Sequence, residues 1–265
     1  MSTLINNRTS TMIAFEHPVN EQIRLYLRLE YLFNEFRRSL QQSDKNHSKE
    51  ALSALLKITS VVDRPDLKSK LVQLLTLHAT NLAHLSQSPD IDRERLQDIL
   101  RQLETHTAHL HAFKGKLGEH LRQNDFLNQI RLHLTNPAGP CESTLPALHL
   151  WLNGPAELRA HDLALWYQPL KELDNAIALL MNLIRQSTPP QKLTSQQGFH
   201  QQTQDSSLPC ELIRVSIPAE LKLFPEFSAN KHRIIIRFLK PDIYQGGKPI
   251  QTQNDVEFLL ACCRI

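Results

Sequence analysis

Arg24 and Arg28 stand one helical turn apart in the segment Phe15-Glu16-His17-Pro18-Val19-Asn20-Glu21-Gln22-Ile23-Arg24-Leu25-Tyr26-Leu27-Arg28-Leu29-Glu30-Tyr31, with apolar residues on either side of them. A guanidinium in that setting lays its stem on apolar surface and still reaches an anion, which is the chemistry of binding. Solvation or pairing within the helix accounts for the same residues. A second basic group is Lys231-His232-Arg233 with Arg237 and Lys240, and no acidic residue falls between Ala229 and Lys240. Such a run suits an anionic partner, although a solvated sheet face explains each residue alone.

Residue types that could do bond chemistry are present without the patterns that organise them. His106, His109 and His111 have metal-like spacing, but with no cysteine beside them a surface or packing role is expected and no metal site is assigned. HExxH is absent. Cys141, Cys210, Cys262 and Cys263 give neither a disulfide framework nor paired CxxC spacing, so reduced thiols are expected and the vicinal pair is read as structural. Cys141 and Ser143 lie near His149 without a GxSxG elbow, and Glu16 and His17 lack a group to orient them. The chain has 7 glycines and neither a GxGxxG nor a GxxxxGK[ST] motif, so no nucleotide and no cofactor is expected. A non-enzymatic protein follows.

The elements that must carry these residues are mostly helical at first. Pro18 is read as fixing the approach to the first helix, with Glu16 as negative charge near its start and Asn20 or Glu21 in its first turn. Leu25, Tyr26, Leu29, Leu32, Phe33, Phe36 and Leu40 form one apolar stripe; Ile23, Leu27 and Tyr31 form a second, with Arg24, Arg28 and Glu35 between them. Two apolar sides need two packing partners, within one chain or across a symmetric dimer. The first helix should end near Gln41. Further helices are expected over residues 49–62 and 66–85, from Ser88-Pro89-Asp90 to about 113, and over 121–134, closed by Asn136-Pro137-Ala138-Gly139-Pro140. Others follow over 145–152, 156–167 and 169–185.

After Ser187 the period changes to two. Ile213, Val215 and Ile217, then Ile234, Ile236 and Phe238, then Val256, Phe258 and Leu260 alternate with their neighbours, and Gly198-Phe199-His200 opens another run. The fold class expected is α+β: an N-terminal helical domain over 1–188 with a dimerisation surface, then a small antiparallel β domain over 189–265. At 265 residues and 41% hydrophobic the chain can bury a substantial core. The opening residues do not read as a signal peptide, and the longest apolar stretch, 176–184, is far shorter than the about 20 residues of a bilayer span. A soluble cytoplasmic protein is expected.

Beyond the opening segment, five stretches carry a family likeness. They are Leu145-Pro146-Ala147-Leu148-His149-Leu150-Trp151-Leu152, Leu183-Ile184-Arg185-Gln186-Ser187, Gly198-Phe199-His200-Gln201, Lys231-His232-Arg233-Ile234-Ile235-Ile236-Arg237-Phe238 and Val256-Glu257-Phe258-Leu259-Leu260-Ala261-Cys262-Cys263. In their order and spacing, over nearly the whole chain, they resemble the ZapD family of bacterial cell-division proteins, which bind the tubulin-like FtsZ and bundle its filaments. The resemblance implies a homodimer that binds the C-terminal tail of FtsZ, crosslinks filaments and stabilises the division ring at midcell. It also implies a basic tail pocket, with Arg28 pairing a tail carboxylate and His149 donating a hydrogen bond or adding charge when protonated.

Arg24, Arg131, Arg233 and Arg237 join them as candidates on charge and motif match. The chain departs from the family pattern at Asn124-Asp125-Phe126, where an arginine is expected. Arg122 or Arg131 then substitutes, or the pocket suits a different tail. Nucleic acid is the alternative partner, because the pI is about 8.7 and the basic residues cluster. Against it stand a net charge of only +3 and arginines interleaved with Leu and Ile more than with stacking aromatics.

Overall fold

The computed structural model describes residues 11–84, 92–134, 143–205, 210–230, 232–242 and 246–264. It is an α+β protein, as the two hydrophobic periods require. The chain divides into two compact units: residues up to Arg24 together with Asn182 onward form one, and Leu25–Met181 form the other. The turn signals Ser88-Pro89-Asp90 and Asn136-Pro137-Ala138-Gly139-Pro140, and the residues Cys141 and Lys231, lie outside the described residues.

The first element corrects the reading of Glu16 and Pro18 as the approach to a helix. Met12–Pro18 is a strand, β1, paired antiparallel with β4 (Leu212–Pro218), with Glu16 opposite Arg214 and Pro18 opposite Leu212. Helix α1, Glu21–Leu40, starts only after Asn20, whose Oδ1 accepts the Ile23 N–H at 2.8 Å and whose amide donates to the Glu211 carboxylate. This pairing of β1 with β4 is why the first residues belong to the same compact unit as Asn182 onward.

The unit of Leu25–Met181 is helical. It contains the body of α1, then α2 (Lys45–Val62), α3 (Leu67–His84), α4 (Arg93–Ala112), α5 (Glu119–Arg122), α6 (Asp125–His133), α7 (Pro146–Asn153), α8 (Ala156–Tyr167) and most of α9 (Lys171–Gln186). Caps mark the starts: Asp44 accepts from the Asn46 and His47 N–H groups, Asp92 from Arg95, and Asn124 from Leu127. That last cap splits the single helix expected over 121–134 into α5 and α6. Pro169 falls in a 3-10 turn, Gln168–Leu170, leading straight into α9.

Tyr26, Leu29, Phe33 and Phe36 of α1 are fully buried, as the first stripe demands, and α2 contributes Leu52, Leu55, Leu56 and Ile58. Helices α3 and α4 pack against each other through Leu67, Leu71 and Leu75 on one side and Leu96, Leu103 and Leu110, seven apart, on the other. Arg159 of α8 is 4% exposed and is held by the Ser48 hydroxyl and the carbonyls of Leu152, Gly154 and Ser43.

The other unit is a pair of antiparallel sheets. One has the order β1-β4-β8-β2, with β2 Gln191–Ser195 and β8 Val256–Cys263; the second has the order β3-β6-β5, with β3 Phe199–Thr203, β5 Phe224–Ala229 and β6 Arg233–Lys240, while β7, Ile250–Gln251, pairs with β6. Ile213, Val215 and Ile217 from the first sheet meet Ile234, Ile236 and Phe238 from the second in one core, with Val256, Phe258 and Leu260. The alternation read from sequence thus marks the buried face of both sheets. Gln197 and Gly198, with φ of 49° and 71°, make the two-residue turn between β2 and β3.

Candidate protein-partner interface

In the helical unit, α1 fixes Arg28 by burying the opposite side of the helix. Arg28 is exposed and carries no ion pair among the described residues, and Tyr31, one turn on, is 62% exposed. The second apolar stripe is therefore incomplete: Ile23 is buried and Leu27 half-buried, but Tyr31 faces solvent. Glu30 and Glu35 are half-buried, and Glu35 accepts from Arg38 at 2.8 Å.

His149 is held by a short helix. Pro146 occupies the first turn of α7, while Leu145, Leu148 and Leu152 are buried, which leaves His149 exposed beside Leu150, itself 76% exposed. The Asn153 side-chain amide donates to the His149 carbonyl at 2.8 Å. Trp151 turns the other way, into a cluster with Phe126 and Trp166 whose ring centroids are 5.8–6.0 Å apart, and its Nε1 donates to Asp162 at 2.9 Å.

Arg131 of α6 is half-buried, its guanidinium donating to Asn128 Oδ1 at 3.3–3.4 Å. Between α2, α6 and α7 lies a cavity of about 440 Å³, with Leu52, Ile130, Leu134 and Leu148 as apolar lining and Lys49 and Glu50 as charged lining. Ile130 and Leu148 immediately precede Arg131 and His149, so the helices bearing those two candidates both wall this cavity. Sequence reasoning did not find it, because it needs three helices at once.

The departure at Asn124-Asp125-Phe126 has a structural use: Asn124 caps α6 and Phe126 joins the aromatic cluster. Arg122 is engaged locally. It donates to the Leu117 carbonyl at 2.8 Å, and its Nη1 lies 3.2 Å from Asp63 Oδ1, out of line for a hydrogen bond, so that second contact is purely electrostatic.

In the sheet unit, Arg24 pairs with Glu21 at 3.3 Å, an exposed i,i+3 contact worth little. His17 of β1 stacks on Phe227 at 5.0 Å, and burial, assisted by the Arg24 charge, lowers its pKa below the usual imidazole value. Arg233 and Arg237 are exposed on β6 with half-buried Ile235 between them, as alternation predicts. The expectation of uncompensated charge there needs correction: β5 places Glu226 opposite Arg237, 3.8 Å from its guanidinium. The six candidates are thus divided between units, with Arg28, Arg131 and His149 in the helical one and Arg24, Arg233 and Arg237 in the other.

Cys210, Cys262 and Cys263 are free thiols. Neighbouring strand residues face opposite ways: Cys262 packs against the core between the sheets, whereas Cys263 Sγ lies 3.9 Å from the Arg185 carbonyl. His106 and His109 meet Glu172, and His111 is exposed outside that group. Among the described residues, no helix is long and apolar enough to cross a membrane.

Comparison with known proteins identifies the family. The family model described as "ZapD: Cell division protein" matches residues 27–237, a span that contains Arg28, Arg131, His149, Arg233 and Arg237 but not Arg24. Cell division protein ZapD from two strains of Coxiella burnetii, RSA 331 / Henzerling II and RSA 493 / Nine Mile phase I, is in each case 43% identical over 256 residues, covering 97% of this chain and 99% of the relative.

Proposed function

The chain belongs to the ZapD family of cell division proteins, and from that premise we propose that it acts by binding the C-terminal tail of FtsZ, without catalysis. As a cytoplasmic homodimer with two tail sites it links neighbouring filaments and stabilises the ring at midcell. Bivalency makes weak single contacts sufficient, provided both sites engage together.

The observation that carries this reading is the exposure of Arg28 on a helix whose other side is fully buried. An exposed guanidinium without an ion pair among the described residues is available to a carboxylate and costs little desolvation until a partner arrives. In the same helical unit, the helices that carry His149 and Arg131 wall a cavity through Leu148 and Ile130, with Leu52 and Leu134 beside them, which suits a short segment that is both acidic and hydrophobic. Arg24, Arg233 and Arg237 serve as auxiliary charges.

The test is co-sedimentation of the purified protein with GTP-assembled FtsZ from the same organism, beside FtsZ lacking its C-terminal tail. Pelleting and bundling with full-length filaments only is the expected result. Absence of pelleting with either would overturn the reading and turn attention to nucleic acid as the partner of the basic residues.

A further inference from the structure

His106 and His109 lie three residues apart on α4, so both imidazoles leave the same side of the helix. Glu172, in the first turn of α9, is packed against them. Its Oε2 is 3.4 Å from Nδ1 of His106 and 3.2 Å from Nδ1 of His109, and one ligand atom from each of the three residues lies within 4.8 Å of the others. Hydrogen bonding satisfies the group only in part: His109 Nδ1 and the Glu172 carboxylate share one hydrogen bond. His106 Nδ1 is buried, yet it is out of line for a hydrogen bond to the carboxylate and has no other partner among the described residues. An orphaned buried nitrogen beside a carboxylate and a second imidazole needs a different occupant of the space between them.

The two histidine–carboxylate separations match those around a tetrahedral ion. With bonds of about 2.0–2.2 Å to imidazole nitrogen and carboxylate oxygen, ligand atoms around zinc are about 3.3–3.5 Å from one another. Two neutral imidazoles and one ionised carboxylate form a donor set that zinc accepts, with the fourth position left to water. The side chains are 15% exposed at His106, 54% at His109 and 45% at Glu172, so one ligand is anchored and the other two leave a path from solvent. Helix α4 otherwise rests chiefly on α3. We infer that His106, His109 and Glu172 bind one zinc-class divalent ion, which fastens α4 to α9.

The experiment is a Zn²⁺ titration of the tag-free full-length protein against a chromophoric chelator, repeated with His109→Ala and Glu172→Gln. Both substituted positions are about half exposed, and far-UV circular dichroism verifies that the variants fold. One equivalent should bind, each variant should bind at least tenfold more weakly, and Zn²⁺ should raise the thermal midpoint of the parent only. With 13 histidines in the chain, adventitious binding is the competing explanation, and it would leave the variants unchanged. Absence of saturable one-equivalent binding, or undiminished affinity in either variant, overturns the site.

Discussion

Glu16 and Arg185 form a two-pronged ion pair, with Nε to Oε1 at 2.8 Å and Nη2 to Oε2 at 2.9 Å. Arg214 adds its Nε to Oε1 at 2.9 Å, so one carboxylate on β1 serves two guanidinium groups. Burial by itself would raise the Glu16 pKa; the hydrogen bonds and charge of Arg185, joined by Arg214, outweigh it and hold the carboxyl below its usual value.

Glu16→Gln should therefore destabilise the protein by about 2–4 kcal/mol, since two partly buried cations lose their shared partner. Because the folded pKa is depressed, this contribution is present above the usual 4.5 and is lost as pH falls through the folded value. Urea unfolding of the parent and variant at pH 7 and pH 3 measures both effects, and the gap between them should shrink at pH 3.

His78 should govern a separate window. It is 6% exposed on α3, its Nε2 has no hydrogen-bond partner among the described residues, and burial lowers its pKa from 6.5 to about 4. Stability is complete above pH 6.5 and falls as pH drops toward 4, by up to about 3 kcal/mol. His78→Leu should abolish that slope, as read from urea midpoints between pH 4.5 and 7.5.

Arg28→Ala should weaken tail binding about tenfold, or ~1.4 kcal/mol, while leaving the helical circular dichroism signal unchanged. Tail binding should also fall as salt rises through the physiological range. Fluorescence anisotropy with a labelled FtsZ tail peptide measures both. Loss of helical signal together with binding would make Arg28 a structural residue.

Gly198→Ala should cost about 2 kcal/mol or more in a denaturant titration, because φ is +71° and an added Cβ would meet the Thr252 carbonyl oxygen at 2.6 Å. The neighbouring Gln197, with φ of 49°, is also in the left-handed region, so the control Gln197→Gly should be neutral or stabilising.

Strands β4, β6 and β8 were legible because both sheets bury one face, which imposes a strict period of two on Ile213, Val215, Ile217 and their counterparts. Strand β1 was not. It is an edge strand with Met12 and Ile13 each 42% exposed, so its pattern is weak, and Pro18 reads equally well as a strand end or a helix start. Strand β5 was hidden by Pro225, which an edge position tolerates. In the candidate interface, the place of Arg28 between two apolar stripes was legible from spacing, whereas the exposure of His149 emerged only with the burial of Leu145, Leu148 and Leu152. Glu226 opposite Arg237, and Glu172 beside His106 and His109, were not, since cross-strand register and helix docking lie beyond one-dimensional spacing.

The pairing of β1 with β4 also sets an order in time. Pro18 and Leu212 are partners separated by roughly 190 residues, so at a synthesis rate of about 5–20 residues per second the first strand waits about 10–40 s for its neighbour to be made. For most of that interval Glu16 has neither Arg185 nor Arg214. The helices between can consolidate as they emerge, whereas the sheet closes last, which makes the newborn first strand a natural client for a chaperone that holds extended apolar segments.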